Sequence, residues 1–209
     1  MTSQSDLFER THDNKAAEQL MRGFAYRPEL ITEDEEKQLL LHIADLPFEH
    51  FKFHGHEGKR RTVSFGWQYE FSGAGKLREA GEIPQFIRPL RERAASFAGL
   101  PPAALEHVLV IEYSPGAGIG WHRDRPVFGD VIAVSFLAPC VLRFRREVET
   151  ERGPVSPKSK RTQWQRANVT AEPRSAYFLS GEARTEWQHS ILRVDQLRYS
   201  VTFRTMRQS

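Results

Sequence analysis

Residues 1–22 are mostly polar, with no sustained apolar period, and read as a flexible arm; ordered structure is expected to start near Phe24. Thr32 and Glu35 have the spacing of a capping box, in which each side chain satisfies the other residue's backbone amide. Leu39, Leu40, Ile43 and Leu46 then recur at helical spacing, and Pro47 ends the run. A second helix is predicted over Phe86 to Phe97, with Leu90 and Phe97 facing inward and Pro89 in the first turn. From Val108 onward the pattern becomes one of short strands: Val108–Tyr113, Val131–Phe136, Val141–Phe144, Ala176–Leu179 and Tyr199–Phe203. Turn signals separate them, at Ser114-Pro115-Gly116, Ala138-Pro139 and Ser180-Gly181. The segment Thr62 to Phe71 also alternates and reads as a strand pair or an edge ribbon. Helices followed by short strands predict an α+β fold with a sandwich or barrel-like β core. Residues 145–168 are polar and basic and read as an extended hairpin or loop within one domain spanning 23–209.

Composition narrows the class. A chain of 209 residues that is 39% hydrophobic and 11% aromatic can bury one sizeable core. No apolar run approaches the roughly 18 residues of a membrane-spanning helix. The N-terminus lacks the apolar stretch of a secretory signal. Cys140 is the single cysteine, which excludes an intramolecular disulfide and any multi-cysteine metal site. A reducing, cytoplasmic setting and a monomer are expected. The net charge of +3 is compatible with a nucleic-acid partner without arguing for one.

Two motifs mislead. His122-Arg123-Asp124 spells the kinase catalytic tripeptide, but no Asn follows at the required offset and the flanking elements are missing. Gly116, Gly118 and Gly120 imitate a nucleotide loop, yet the third glycine comes one position early and no helix start follows. A turn between strands explains them better.

The chemistry lies elsewhere. On a strand, His122 and Asp124 share one face, and His189 follows in the segment Glu186-Trp187-Gln188-His189. Two imidazoles and one carboxylate on one side of a metal make the facial triad of non-haem Fe(II) oxygenases. Arg198-Tyr199-Ser200-Val201-Thr202-Phe203-Arg204 is a strand with Arg198, Ser200, Thr202 and Arg204 on one face. Two arginines beside two hydroxyls suit a dianionic acid, since guanidinium matches carboxylate geometry; an ordinary solvated face is the competing explanation.

Taken together, Glu112-Tyr113-Ser114-Pro115-Gly116, Trp121-His122-Arg123-Asp124, Ser180-Gly181-Glu182-Ala183-Arg184, Trp187-Gln188-His189 and the R-x5-R of Arg198 and Arg204 resemble the AlkB family of Fe(II)- and 2-oxoglutarate-dependent dioxygenases. The resemblance covers residues 24–207 and implies a double-stranded β-helix, or jelly roll, with N-terminal helices and a nucleotide-recognition ribbon. By it, His122, Asp124 and His189 match the iron ligands. Arg198, with Tyr113 beside it and Ser200 on the same face, matches the clamp on the distal carboxylate of 2-oxoglutarate. Arg204 matches the arginine near the proximal carboxylate and the ligand aspartate. Ile111 stands where the best-known bacterial member has an Asn, and Pro126 where it has an acidic residue. The implied chemistry consumes O2 and 2-oxoglutarate, gives succinate and CO2, and removes an N-methyl group as formaldehyde.

The implied substrate is a methylated base in DNA or RNA, single-stranded or flipped from its stack. Trp67 and Tyr69 share one face of the predicted ribbon and are candidate stacking surfaces, or else core aromatics. Arg61, preceded by Lys59 and Arg60, is a candidate phosphate contact, as are the basic residues of the 145–168 insertion. The alternative is a 2-oxoglutarate-dependent hydroxylase or demethylase of a protein or small molecule. Trp121 is expected to face away from the site, Trp187 to pack behind His189, and Cys140 to be a small buried hydrophobe.

Overall fold

The computed structural model describes residues 13–53, 56–70, 76–149 and 162–207. Residues 13–20 (α1) are helical, with Ala17 and Met21 buried and the Asn14 side-chain amide bonded to the backbone of Thr170 in both directions. The arm expected to be flexible is therefore docked from residue 13 onward. Its apolar residues are too few to show a period, but they reach the core.

After β1 (Phe24–Arg27) comes α2 (Glu33–Ile43), which opens on the capping box read from the sequence: Thr32 accepts from the Glu35 amide, and Glu35 accepts from the Thr32 amide. It stops at Ile43, before the expected Leu46, and Ala44 caps it. The second helix, α3 (Arg88–Ala98), follows a short 3-10 turn, carries Pro89 in its first turn and ends at Gly99. A further short helix, α4 (Gly181–Thr185), lies in the C-terminal half.

The strands form two antiparallel sheets. In the seven-stranded sheet β1 is followed by β11 (Ala176–Leu179), β8 (Phe128–Phe136), β13 (Arg198–Met206), β6 (Leu105–Tyr113), β3 (His56–Phe65) and β2 (Glu49–Phe53). The four-stranded sheet has the order β10 (Thr162–Ala171), β9 (Cys140–Glu149), β12 (Gln188–Ile191), β7 (Ile119–His122). A separate ribbon pairs β4 (Trp67–Glu70) with β5 (Lys76–Glu79). The segment Thr62 to Phe71 thus divides at Gly66. Its first part joins the large sheet and its second part starts the ribbon.

Two cores explain the alternation. Val108, Val110, Ile132, Val134, Phe136, Tyr199, Val201 and Phe203 face Leu30, Ile43, Leu90 and Ala94, so the helices cover the outer face of the large sheet. Ile111, Tyr113, Val131, Ala133, Leu142, Phe144, Val169, Leu179 and Ile191 fill the space between the sheets. Central strands buried on both faces read as near-continuous apolar runs, which is why β6 and β8 are visible in the sequence. The 145–168 segment is a hairpin whose arms pair from Cys140↔Ala171 to Glu149↔Thr162. Its tip, with Lys158, Lys160 and Arg161, lies outside the described residues.

Candidate active site

β7 and β12 pair antiparallel with His122 directly opposite His189, so both imidazoles project from one face of the small sheet. Their ring centroids are 4.2 Å apart. Asp124 is not on the strand: β7 ends at His122, and the carboxylate is carried by the following loop. Strand alternation therefore does not place it beside the histidines. Arg204 does, by donating from Nε at 3.1 Å and Nη2 at 2.8 Å to the single oxygen Oδ1. Arg184 holds the same loop from behind, donating to the carbonyls of Arg125, Phe128 and Gly129 at 2.8 Å each.

The protonation states are set by this packing. Burial opposes the ionisation of Asp124, but Arg204, His189 and His122 outweigh it and hold the carboxyl well below its usual range. His189 is driven down to about 3, by burial first and then by His122, so it is neutral at physiological pH. His122 is shifted the same way by burial. Its Nδ1 lies 2.9 Å from the Gly120 carbonyl, which can only accept, so Nδ1 carries the proton and Nε2 keeps its lone pair. Asp124 Oδ2 lies 3.8 Å from His189 Nε2. Among the described residues no His, Cys, Asp and Glu trio is drawn into a closed cage. Donor chemistry carries the fit: two neutral imidazoles and one carboxylate oxygen, with a cation on its other oxygen, form a set that could hold Fe(II).

Arg198 stands deeper, between the sheets, only 1% exposed. Its register partner is Tyr113, whose ring lies 4.8 Å from the guanidinium carbon. The Tyr113 hydroxyl faces both Ser200 and Arg198. Nη2 donates to Ser135 Oγ at 2.8 Å, while Nε and Nη1 are buried without a hydrogen-bond partner among the described residues. Unpaired buried guanidinium nitrogens are costly and call for an anion. A carboxylate is the group that fits a guanidinium edge.

A family model described as the 2OG-Fe(II) oxygenase superfamily matches residues 23–207. The chain belongs to this superfamily. It is accordingly an oxidoreductase, a dioxygenase of the kind that uses Fe(II), 2-oxoglutarate and O2. The chain is 30% identical over 198 residues to a protein of Arabidopsis thaliana called "Alkylated DNA repair protein ALKBH8 homolog", covering 88% of this chain and 56% of that one. It thus spans little more than half the length of that curated relative, and the match agrees with the AlkB-like motifs. A solved prolyl-4-hydroxylase of Pseudomonas putida superposes with a TM-score of 0.54 at 11% identity, covering 95% of this chain and 99% of that chain. That likeness speaks for the jelly-roll fold alone.

For the substrate side of this oxygenase the sequence reading needs correction. Arg61 does not face the site. It forms a two-pronged pair with Glu112, 2.8 Å at each end, on the helix side of the large sheet, where Tyr199 also donates to Glu112. Arg60, one residue earlier and so on the other face, is the register partner of Tyr113, and its charge is felt at His122. Burial pushes its pKa down. Trp67 lies half-buried on β4; Tyr69 is on the same strand, with its side chain outside the described residues. Trp121 faces away from the site, Trp187 is buried in the inter-sheet core, and Cys140 is a free buried thiol, each as expected.

Several residues near the site gave no sequence signal of their role. His107 is buried against Phe128, with Nδ1 3.3 Å from Arg204 Nη1. Tyr177 is buried near both Tyr113 and Asp124. The glycine run proves to be a tight connection: Gly116 has φ +81, and a Cβ on Gly118 would lie 2.8 Å from the Ile191 carbonyl.

Proposed function

We propose that this dioxygenase removes N-methyl groups from nucleic-acid bases. His122, Asp124 and His189 would hold Fe(II), and Arg198, with Tyr113 and Ser200, would receive the distal carboxylate of 2-oxoglutarate. When bound, the metal and cofactor would supply the oxidation: one atom of O2 goes to succinate as 2-oxoglutarate loses CO2, the other hydroxylates the N-methyl carbon, and that carbon leaves as formaldehyde while its hydroxyl proton passes to the nitrogen in place of the methyl group. The chain's own residues build and orient the site. Arg204 keeps Asp124 ionised, the Gly120 carbonyl fixes the His122 tautomer, and Arg198 lies buried beside the inter-sheet core.

One observation carries the cofactor half of this reading: two unpartnered guanidinium nitrogens of a fully buried arginine, one sheet away from a pair of neutral imidazoles and a carboxylate. The substrate half is supported by the alkylated-DNA-repair relative and by Arg60, a half-buried cation beside Tyr113 and His122. The test is a panel of N-methylated oligonucleotides, single- and double-stranded, DNA and RNA, assayed for both formaldehyde and succinate. Stoichiometric formation of the two on any oligonucleotide supports the proposal. Turnover confined to peptides or small molecules replaces it with the hydroxylase reading.

A further inference from the structure

The reverse of the wall that carries His122 and His189 is a cationic surface that the site does not use. Cross-strand register sets Arg166, Arg145 and Gln188 in one row and Asn168, Arg143 and Ser190 in the next, all on the outer face of the small sheet. Arg166 and Arg145 are thus like charges directly opposite each other on paired strands, an arrangement that costs stability. Arg145 lies 4.3 Å from the ring centroid of Trp121, which reaches across β12, and 4.4 Å from that of Trp164 on β10. Arg143 also lies over Trp121, at 5.0 Å.

These arginines are held in fixed orientations. Arg145 Nε donates to Gln188 Oε1 at 2.8 Å and Arg143 Nε donates to Ser190 Oγ at 3.1 Å. With one edge bonded to β12 and the plane against indole, each guanidinium keeps both terminal nitrogens without a hydrogen-bond partner among the described residues. Arg166 is exposed and makes no ion pair among them either. Two acids of β9 share this face by register, Glu147 one row from Arg145, opposite Trp164, and Glu149 two rows away, opposite Thr162. Pre-oriented forks with free terminal nitrogens match phosphate oxygens. Because arginine already covers the indoles, bases have little ring surface left to stack on, so recognition would be of backbone rather than sequence.

We propose that this outer face of the small sheet is a second nucleic-acid contact that binds the phosphodiester backbone through Arg143, Arg145 and Arg166. The inference rests on a nucleic-acid substrate, and the experiment separates the two. Anisotropy of a fluorescein-labelled, unmethylated oligouridylate is measured against salt for the full chain. Changing all three arginines to Gln is expected to lower the magnitude of the log K against log salt slope by about 2, at roughly 0.7 per contact on a single strand. Arg166→Gln alone, which removes no contact within the fold, should lower it by about 0.7. Arg145→Lys should keep the slope and weaken binding. Succinate formation without nucleic acid should be unchanged in all of them, showing that the cofactor site is intact.

A triple variant with wild-type slope overturns the surface while leaving the demethylase reading in place. Binding of wild type to phosphatidylserine vesicles but to no oligonucleotide overturns the surface and assigns the face to membranes. Failure of wild type to bind any oligonucleotide while it oxidises a peptide overturns both.

Discussion

Arg204 directs two nitrogens at one oxygen of Asp124, Oδ1, at 2.8 and 3.1 Å, and so leaves Oδ2 pointing toward His189. This fixes a carboxylate that the polypeptide places on a loop. Replacing Arg204 by Gln should therefore lower metal affinity about 10- to 100-fold, the usual effect of removing a group that orients a ligand. The carboxyl would also move back toward its ordinary range, so proton competition for the metal would start at higher pH. Mn(II) or Co(II) titration of wild type and variant at several pH values measures both. Equal affinities would show that Arg204 is merely structural.

Arg198 makes an unusual expectation about stability. A fully buried cation with two unpartnered nitrogens is a burden on the cofactor-free fold. Arg198→Met should leave the cofactor-free protein as stable as wild type or more stable, since an apolar side chain of similar volume replaces an uncompensated charge. 2-Oxoglutarate with Mn(II) should stabilise wild type by about 2.7 kcal/mol at a hundred times its Kd, and should not stabilise the variant. Arg198→Lys should restore part of the effect, because an ammonium cannot make the two-pronged contact. Thermal shifts decide this; a variant still stabilised by 2-oxoglutarate would place the cofactor elsewhere.

How much of this is legible follows from where the pattern is clean. The Thr32–Glu35 box, the Pro89 helix start and strands β6, β8, β11 and β13 are readable because caps and doubly buried strands leave local signatures. β12 is not, being only Gln188–Ile191 with a bulge against β7. The docked helix of residues 13–20 escapes a periodicity reading because its apolar contacts are few, Ala17 and Leu20 with Met21 just beyond it, and a polar residue, Asn14, ties it to Thr170. His122, Asp124 and His189, picked out by type and spacing and given roles by the family resemblance, are brought together in the fold, though strand alternation is the wrong reason for Asp124, since a loop and Arg204 place it. Choosing Arg61 over Arg60 fails because a one-residue difference in strand phase moves a side chain to the opposite face, and no periodicity fixes that phase in a basic run.

Acid should unfold the metal-free protein early. His107 is pushed well below 6.5, by burial first and then by Arg204, and His189 is driven to about 3. In the unfolded chain both take up a proton near 6.5. Between the folded and unfolded values the unfolded state binds the extra protons, so stability falls as pH drops below 6.5. The loss is about 1.4 kcal/mol per pH unit for each such histidine. His107→Gln should remove one proton's share of that slope, measured by denaturant unfolding between neutral and mildly acidic pH in chelator. A variant with an undiminished slope would show that His107 is protonated in the fold.

Arg60 and Arg61 are neighbours with opposite expected effects. Arg61 neutralises Glu112, whose side chain is 8% exposed, and it does so from a position that is itself 41% exposed. Arg61→Gln leaves that buried carboxylate with the Tyr199 hydroxyl as its side-chain donor among the described residues. The cost should be on the order of 1–3 kcal/mol, below that of a fully buried pair because water reaches the arginine side. Glu112 is held below its usual range chiefly by the Arg61 hydrogen bond, so the variant should lose its extra sensitivity to acid along with its stability. Catalysis on an oligonucleotide should change little once the protein is folded. Arg60→Gln should do the reverse, with a small change in Tm and a loss of oligonucleotide turnover of about tenfold or more. That is the scale of one hydrogen bond to a charged group, about 1.5–3 kcal/mol. Parallel measurement of Tm and kcat/KM on both variants separates the roles. Lost turnover in Arg61→Gln at unchanged stability would return Arg61 to the substrate side.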